Sequence, residues 1–426
     1  MKKEVLFIFL GVILLLLAPL PSAADVMIVR AGGVVNPVMA EFLSTSIDEA
    51  GEQSSEVLVI ELDTPGGLDA SMRTIVQKII SSKVPVVVYV SPSGARAASA
   101  GVFIVLSSHI AAMATGTNIG AAHPVGIGGE MDKTMLEKAE NDAAAYIRSL
   151  AEKRGRNAEW AEKAVRESVS ITNAEALELN VIDLVAPDVD SLLKTINNRV
   201  VETALGKQAI STKGVKVQYK EAGIRYKILN FISDPNAAYI LMLLGFYGIF
   251  FELTNPGSIF PGVFGAISLI LAFYSFQTLP VNYAGIILIV LGIILFILEI
   301  KVVSFGLLTI GGIFSMTIGS LMLFESSQPF FRVSLLVILP AVVLTALFFS
   351  IIVALAVKAY RRRPATGMEG MVGMEGEAIS DIHEKGQVFV HGEIWSAKSD
   401  VFIKSGEKII VEKVDGLKLK IRQLKT

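Results

Sequence analysis

Hydrophobic positions follow three different patterns along this chain. From Asp25 to about Val189, short apolar runs alternate with stretches where apolar residues recur every three or four positions. Val26–Val29, Val57–Leu62 and Val84–Val90 are rich in β-branched residues and bounded by turn formers, so each predicts a buried strand. His109–Ala114 and Val181–Ala186 predict two further short strands. Pro37–Ala50, Asp69–Ser82, Lys133–Arg154 and Ala158–Ser168 carry helical spacing. Strands alternating with helices of this length predict an α/β domain with a largely parallel sheet.

Between about residues 237 and 357 polar positions become sparse. Five apolar segments follow one another: Ala237–Leu253, Ile259–Leu279, Tyr283–Ile300, Val302–Phe324 and Val333–Val357. A bilayer core takes about 20 apolar residues per helix, so five spans are expected, the first and third being short. Their glycines would let neighbouring helices approach closely. Lys358, Arg361, Arg362 and Arg363 close the last span, a basic cluster expected on the cytoplasmic side. Lys220, Arg225 and Lys227 precede the first span and point the other way, but they belong to a translocated domain and count for less. Glu252 and Glu299, at the ends of spans, are read as carboxylates at headgroup level rather than as a buried relay.

At the N-terminus, Met1-Lys2-Lys3-Glu4 leads into an apolar run from Val5 to Leu17 and then small residues up to Ala24. This is the pattern of a secretory signal peptide cut near Ala24, with an uncleaved anchor as the alternative. Either way the following domain is exported, and five spans then return the C-terminus to the cytoplasm. Beyond Arg363, Pro364–Gly367 reads as a linker. Alternating runs follow at Gly376–Ile382, Gln387–Val390, Glu393–Ala397, Asp400–Ile403, Lys408–Lys413 and Leu417–Ile421, punctuated by Gly386, Gly392, Gly406 and Gly416. Five or so strands in a segment of this size predict a small closed β-barrel.

Composition narrows the chemistry. Of 426 residues, 52% are hydrophobic and 18% charged, too apolar for an ordinary soluble enzyme. A net charge of −2 with no basic stripe gives no reason to expect nucleic acid. The absence of cysteine excludes thiol catalysis, cysteine-ligated zinc and disulfides. No Walker motif is present.

Two turns carry candidate chemistry. Asp63-Thr64-Pro65-Gly66-Gly67 follows a predicted strand, either a tight turn or a place where backbone N–H groups face an anion. Ser93-Gly94-Ala95-Arg96-Ala97-Ala98-Ser99-Ala100-Gly101 follows the next strand. A serine among small residues at a strand-to-helix junction is either a packed helix start or a presented nucleophile.

These two turns, together with Gly116-Thr-Asn-Ile-Gly120-Ala121, Lys138, Tyr146–Leu150 and Gly155-Arg156-Asn157, resemble the NfeD family of membrane-bound proteases, related to the ClpP and signal-peptide-peptidase A class. The resemblance spans almost the whole chain. It implies a ClpP/crotonase-like spiral α/β domain, an α-helical transmembrane bundle and an OB-like barrel. The expected bounds are 1–24 for the signal peptide, 25–230 for the protease domain, 231–360 for the membrane region and 361–426 for the C-terminal domain. By the same resemblance Ser99 is the nucleophile, Lys138 its general base, and the N–H groups of Gly67 and Ala100 form the oxyanion hole.

A serine hydroxyl needs a neighbouring base, and a lysine can serve only when neutral, which calls for apolar surroundings. Asp142, one turn after Lys138, offers the opposite reading, an ion pair on a solvated face. His123 is a rival base, 24 residues after Ser99 in a loop rich in glycine (Gly126, Gly128, Gly129), though no acid is placed to orient its ring. The other histidines are His109, His383 and His391. No metal or cofactor is expected. The implied partners are an apolar polypeptide substrate, a stomatin-like membrane protein and a second copy of the chain. The competing function is a scaffold for stomatin-like proteins; a crotonase-type acyl-CoA enzyme would share the fold but conflicts with export.

Overall fold

The structure is a computed structural model that describes residues 25–126, 132–254, 257–277, 279–302, 304, 306–324, 326, 328–360 and 368–424. The signal-peptide reading, the linker, the arginine cluster 361–363 and Gly128 and Gly129 lie outside the described residues.

The first half is α/β, as its periodicity predicts. Six parallel strands form one sheet in the order Val217–Lys220, Val26–Gly32, Val57–Asp63, Val86–Val90, Ile110–Met113 and Leu184–Val185. Val86–Val90 is buried at every position, the mark of a strand covered on both faces. The helices Pro37–Glu52, Asp69–Ile80, Lys133–Lys153 and Ala158–Arg166 match the predicted ones to within two residues at each end. Asn36 caps the first, accepting from the Met39 N–H at 2.8 Å, and Pro37 occupies its first turn.

A second sheet of three short strands escapes sequence reading. Arg96–Ala98 pairs in parallel with Asn118–Gly120, which pairs antiparallel with Ser170–Thr172. Three residues cannot display a period of two, so no pattern announces them. Each of the first two strands continues the chain after a strand of the large sheet. The repeated unit is therefore two strands and then a helix, the second strand turning out of the first sheet.

All five apolar segments are helical: Pro235–Thr254, Ile259–Phe276, Tyr283–Lys301, Leu307–Met322 and Leu335–Tyr360. Among the described residues only three are long and apolar enough to cross a membrane: Pro235–Leu253, Ile259–Phe276 and Leu335–Ile352. The fourth segment is shorter than expected because its helix begins only at Leu307, after Gly306 at a φ of 92°. At 1.5 Å per residue its sixteen residues reach about 24 Å. Helices Pro235–Thr254 and Ile259–Phe276 touch through glycines. A Cβ on Gly248 would stand 2.7 Å from Gly265 Cα, and one on Gly265 would stand 2.9 Å from the Gly245 carbonyl oxygen.

Glu299 departs from the headgroup reading. It is 5% exposed and caps the next helix, accepting from Ser304 Oγ at 2.7 Å, Gly306 N at 2.9 Å and Thr309 N at 2.9 Å. Glu252 is half-buried, and one of its carboxylate oxygens lacks a hydrogen-bond partner.

Two compact units emerge from the contacts, one up to Val290 together with Ser315–Pro340, the other Leu291–Phe314 with Ala341 onward. The second contains the closed barrel, with strands Glu375–Ala378, Gly386–Val390, Glu393–Lys398, Lys408–Asp415 and Lys418–Gln423. Asp400–Ile403 contributes only a bridge from Ile403 to Ile382. Trp395 packs against the barrel core, while Phe389 and Phe402 are exposed.

Candidate active site

Ser99 sits between the small sheet and the helix Ala100–Ser107, at a φ of 52° and ψ of −115°. A left-handed φ at a residue with a Cβ costs about 1–3 kcal/mol and persists only where the surroundings impose it. Here the imposing contacts are visible. Ser99 N–H donates to the Gly120 carbonyl at 3.1 Å, and Val102 N–H donates to the Ser99 carbonyl at 3.0 Å. The hydroxyl makes no capping bond to its own helix, which leaves it available to a substrate.

The Asp63–Gly67 turn is stitched to the strand that delivers Ser99. Thr64 N–H donates to Arg96 O at 2.8 Å, Ala98 N–H to Thr64 O at 3.0 Å, and Arg96 N–H to Asp63 Oδ1 at 3.1 Å. Gly66 has a φ of 118°, and a Cβ there would lie 2.6 Å from Ser99 Cβ. One glycine thus makes both the tight turn and the close approach to Ser99. Gly67 is pressed against the Val35 backbone, where a Cβ would come within 2.2 Å of the carbonyl oxygen. Among the described residues neither the Gly67 N–H nor the Ala100 N–H donates to a protein acceptor. The two lie with Ser99 on one cavity of about 100 Å³, whose walls include Met72, Phe103, Ala143 and Phe330. Two unspent donors beside an uncapped, half-buried hydroxyl can hold a developing oxyanion.

The two candidate bases fall differently. His123 shares with Ser99 an adjoining cleft also lined by Arg96, Ala121 and Ser168. Its Nδ1 lies 2.9 Å from the Val165 carbonyl. A carbonyl only accepts, so Nδ1 is the donor in this contact, and in the neutral ring the lone pair then falls on Nε2. Lys138 is exposed on the helix Lys133–Lys153 and lines neither cavity, although Ala143 of the same helix does. The Asp142 ion pair that would have held Lys138 on a solvated face is not formed. Asp142 accepts instead from Arg73, which also pairs with Asp69 at 2.9 Å and stacks 4.5 Å from the Tyr146 ring.

Other motif residues support the frame. Arg156 is buried and donates to the carbonyls of Val105, Leu106 and Ser108 at 3.3, 2.8 and 3.0 Å and to Asp183 at 2.6 Å. It closes the C-terminal end of the helix that Ser99 begins. Asn157 caps the following helix at Trp160 N–H, 2.9 Å away. His109 accepts from Val86 N–H at 3.1 Å, and burial pushes its pKa down to about 3, so it is a neutral structural ring. Met72, Phe103 and Phe330 were not singled out from the sequence. They converge on the cavity from three distant elements, and only the fold brings them together.

The chain resembles known proteins along most of its length. The sequence matches the NfeD1b N-terminal domain over residues 25–197, the NfeD integral membrane domain over 236–355 and the NfeD-like C-terminal, partner-binding domain over 368–423. It is 36% identical to the membrane-bound protease PH1510 of Pyrococcus horikoshii over 422 residues, 96% of this chain and 95% of that one. Membrane protein NfeD1b of Bacillus subtilis is 27% identical over 91% of this chain and 90% of its own length. Among solved structures, a mutant of the 1510-N membrane-bound stomatin-specific protease in complex with a substrate peptide is 36% identical. It covers 50% of this chain and 99% of its own, at a TM-score of 0.47. ClpP1 from Listeria monocytogenes is 21% identical, covering 39% of this chain and 94% of its own, at a TM-score of 0.33. With its three segments matched in order and its identity to a relative running nearly end to end, the chain belongs to the NfeD family of membrane proteins.

Proposed function

We propose that this protein is a membrane-anchored serine endopeptidase that cleaves apolar polypeptide segments through an acyl-enzyme on Ser99. The observation that carries the proposal is the pairing of a strained, uncapped Ser99 with two free N–H donors, Gly67 and Ala100, on one apolar cavity. Family membership supports it, since PH1510 is a membrane-bound protease.

In this reading Ser99 Oγ attacks the scissile carbonyl carbon while a base takes the hydroxyl proton. The carbonyl oxygen becomes an oxyanion held by the Gly67 and Ala100 N–H groups. The C–N bond then breaks, the proton passes to the leaving amine, and water releases the acyl group by the reverse sequence. The family pattern assigns the base to Lys138, whose amine must leave solvent and meet Ser99 Oγ when substrate is bound. A second reading has its own observation: His123, its Nδ1 held at the Val165 carbonyl, already shares a cleft with Ser99.

The partner we propose is a stomatin-like membrane protein, the target named for the 1510-N protease. The barrel, which matches a partner-binding domain, is the surface suited to holding such a partner. The protease domain is proposed to lie outside the cytoplasm and the barrel inside, with the chain working as a dimer or larger homo-oligomer. The domain bounds proposed are 25–230, 231–360 and 361–426, after a signal peptide over 1–24.

The test uses the full chain in lipid nanodiscs and an apolar peptide substrate. Ser99→Ala and Lys138→Ala are each expected to lower kcat on the order of 10⁴-fold. Loss with His123→Ala and retention with Lys138→Ala would transfer the base to histidine. Cleavage that survives Ser99→Ala would remove Ser99 as the nucleophile, and no cleavage by the unsubstituted chain would end the protease reading in favour of a scaffold.

A further inference from the structure

One wall of the Ser99 cavity comes from the membrane half of the chain. Gln328, Phe330 and Phe331 line it, and all three belong to the connection between the helices Leu307–Met322 and Leu335–Tyr360. This connection is part of the same compact unit as the α/β domain. Phe330 and Gln328 also line the adjoining cleft that holds His123. Phe331 is 3% exposed and forms part of a second cavity, opposite Asn36, Phe231 and Leu279. The two rings pack with centroids 4.8 Å apart.

The turn is held from several sides. Ser334 N–H donates to Asn236 Oδ1 at 2.8 Å, at the start of the first membrane helix. Asn282 N–H donates to Leu323 O at 2.9 Å, and Val281 bridges Phe324, whose ring meets Phe276 edge-on at 5.9 Å. Arg332 Nε donates to the Ser326 carbonyl within the turn. A cavity of about 100 Å³ persists between these aromatic side chains and Ser99, so the turn lines the site without filling it.

We propose that Phe330, carried on this turn, is a specificity-determining residue of the peptidase: it forms the roof against which the substrate side chain next to the scissile carbonyl packs. Phe103 and Met72 of the α/β domain form the opposite apolar surface. A large apolar side chain at that position gains contact with both surfaces, whereas a small one reaches neither. The turn joins two apolar helices, so the roof also ties specificity to the membrane-embedded form of the enzyme. The proposal rests on the Ser99 reading above for its catalytic role, but binding of the peptide against the turn does not require that chemistry.

The experiment uses the full chain in nanodiscs and two peptides differing only at the acylating residue, Leu or Ala. Phe330→Ala is expected to lower the Leu-over-Ala ratio of kcat/KM roughly tenfold, with most of it restored in Phe330→Leu, while a fluorophosphonate still labels Ser99. A ratio unchanged in Phe330→Ala overturns the proposal. So does a rise in cleavage of both peptides, which would make the turn a plug.

A second measurement separates the two readings. In the Ser99→Ala protein, a peptide carrying benzoylphenylalanine at the acylating position is expected to crosslink within 328–331. Crosslinking there without fluorophosphonate labelling of the unsubstituted enzyme would end the protease reading and leave the binding surface standing. Labelling with crosslinks that map elsewhere ends this proposal alone.

Discussion

Gly66 carries two constraints that a single letter in the sequence cannot separate. Its φ of 118° excludes side chains on backbone grounds, and the space a Cβ would need is already taken by Ser99. Gly66→Ala should therefore push Ser99 and the neighbouring Gly67 N–H out of register. The expected result is a fall in kcat of about 10²–10³-fold, the range for a lost oxyanion donor, with circular dichroism and detergent-solubilised yield retained. A variant that keeps more than a tenth of its activity would mean that the turn does not hold the oxyanion. Lys138 makes the opposite point. Its letter is legible through family pattern, but its exposure and the diversion of Asp142 to Arg73 depend on which helix faces which. His109, by contrast, is disposed of by burial alone.

At the scale of the element, the helix Ala100–Ser107 is the one on which the site depends. All eight residues are buried and apolar or small, so the helix has no solvated face and no amphipathic signal. Its ends are what the structure adds. Ser99 begins it, and Arg156 gathers its last carbonyls from a loop some fifty residues away. Replacing Arg156 by leucine leaves those carbonyls and the Asp183 carboxylate without their buried partner. We expect a loss of about 3–5 kcal/mol in stability. In the detergent-solubilised full chain, amide exchange over residues 100–107 should speed up accordingly; unchanged protection would show that the helix is held by packing alone. The long amphipathic helices were legible because their apolar stripe repeats, whereas the three-residue strands on either side of Ser99 were not, having too few residues to repeat anything.

For the molecule as a whole, the number of spans matters less than its parity. Five apolar helices were expected, and three reach spanning length among the described residues. Both counts are odd, as the proposed placement of the α/β domain outside and the barrel inside requires. The chain contains no cysteine, so single introduced thiols report cleanly. Lys207→Cys, on an exposed hairpin of the first domain, should react with an impermeant maleimide on intact cells. Lys385→Cys, exposed on the barrel, should react only after permeabilisation. The reverse pattern would invert the proposed topology.

What the residues determine by themselves is whatever repeats or is locally enforced. The alternation of strand and helix, the apolar segments, the closed barrel and the small-residue turns all follow from periodicity and from the φ that a turn demands. Tertiary structure decides what depends on meeting across distance. It brings the Gly67 and Ala100 N–H groups to one side of Ser99, gives Asp142 to Arg73, and sets Phe330 against a cavity more than 200 residues upstream. It also buries Glu299 as a helix cap where a headgroup carboxylate was expected. The reason is physical: a periodic pattern specifies which face of an element is buried, but which elements share that burial is settled only when their side chains compete for the same space.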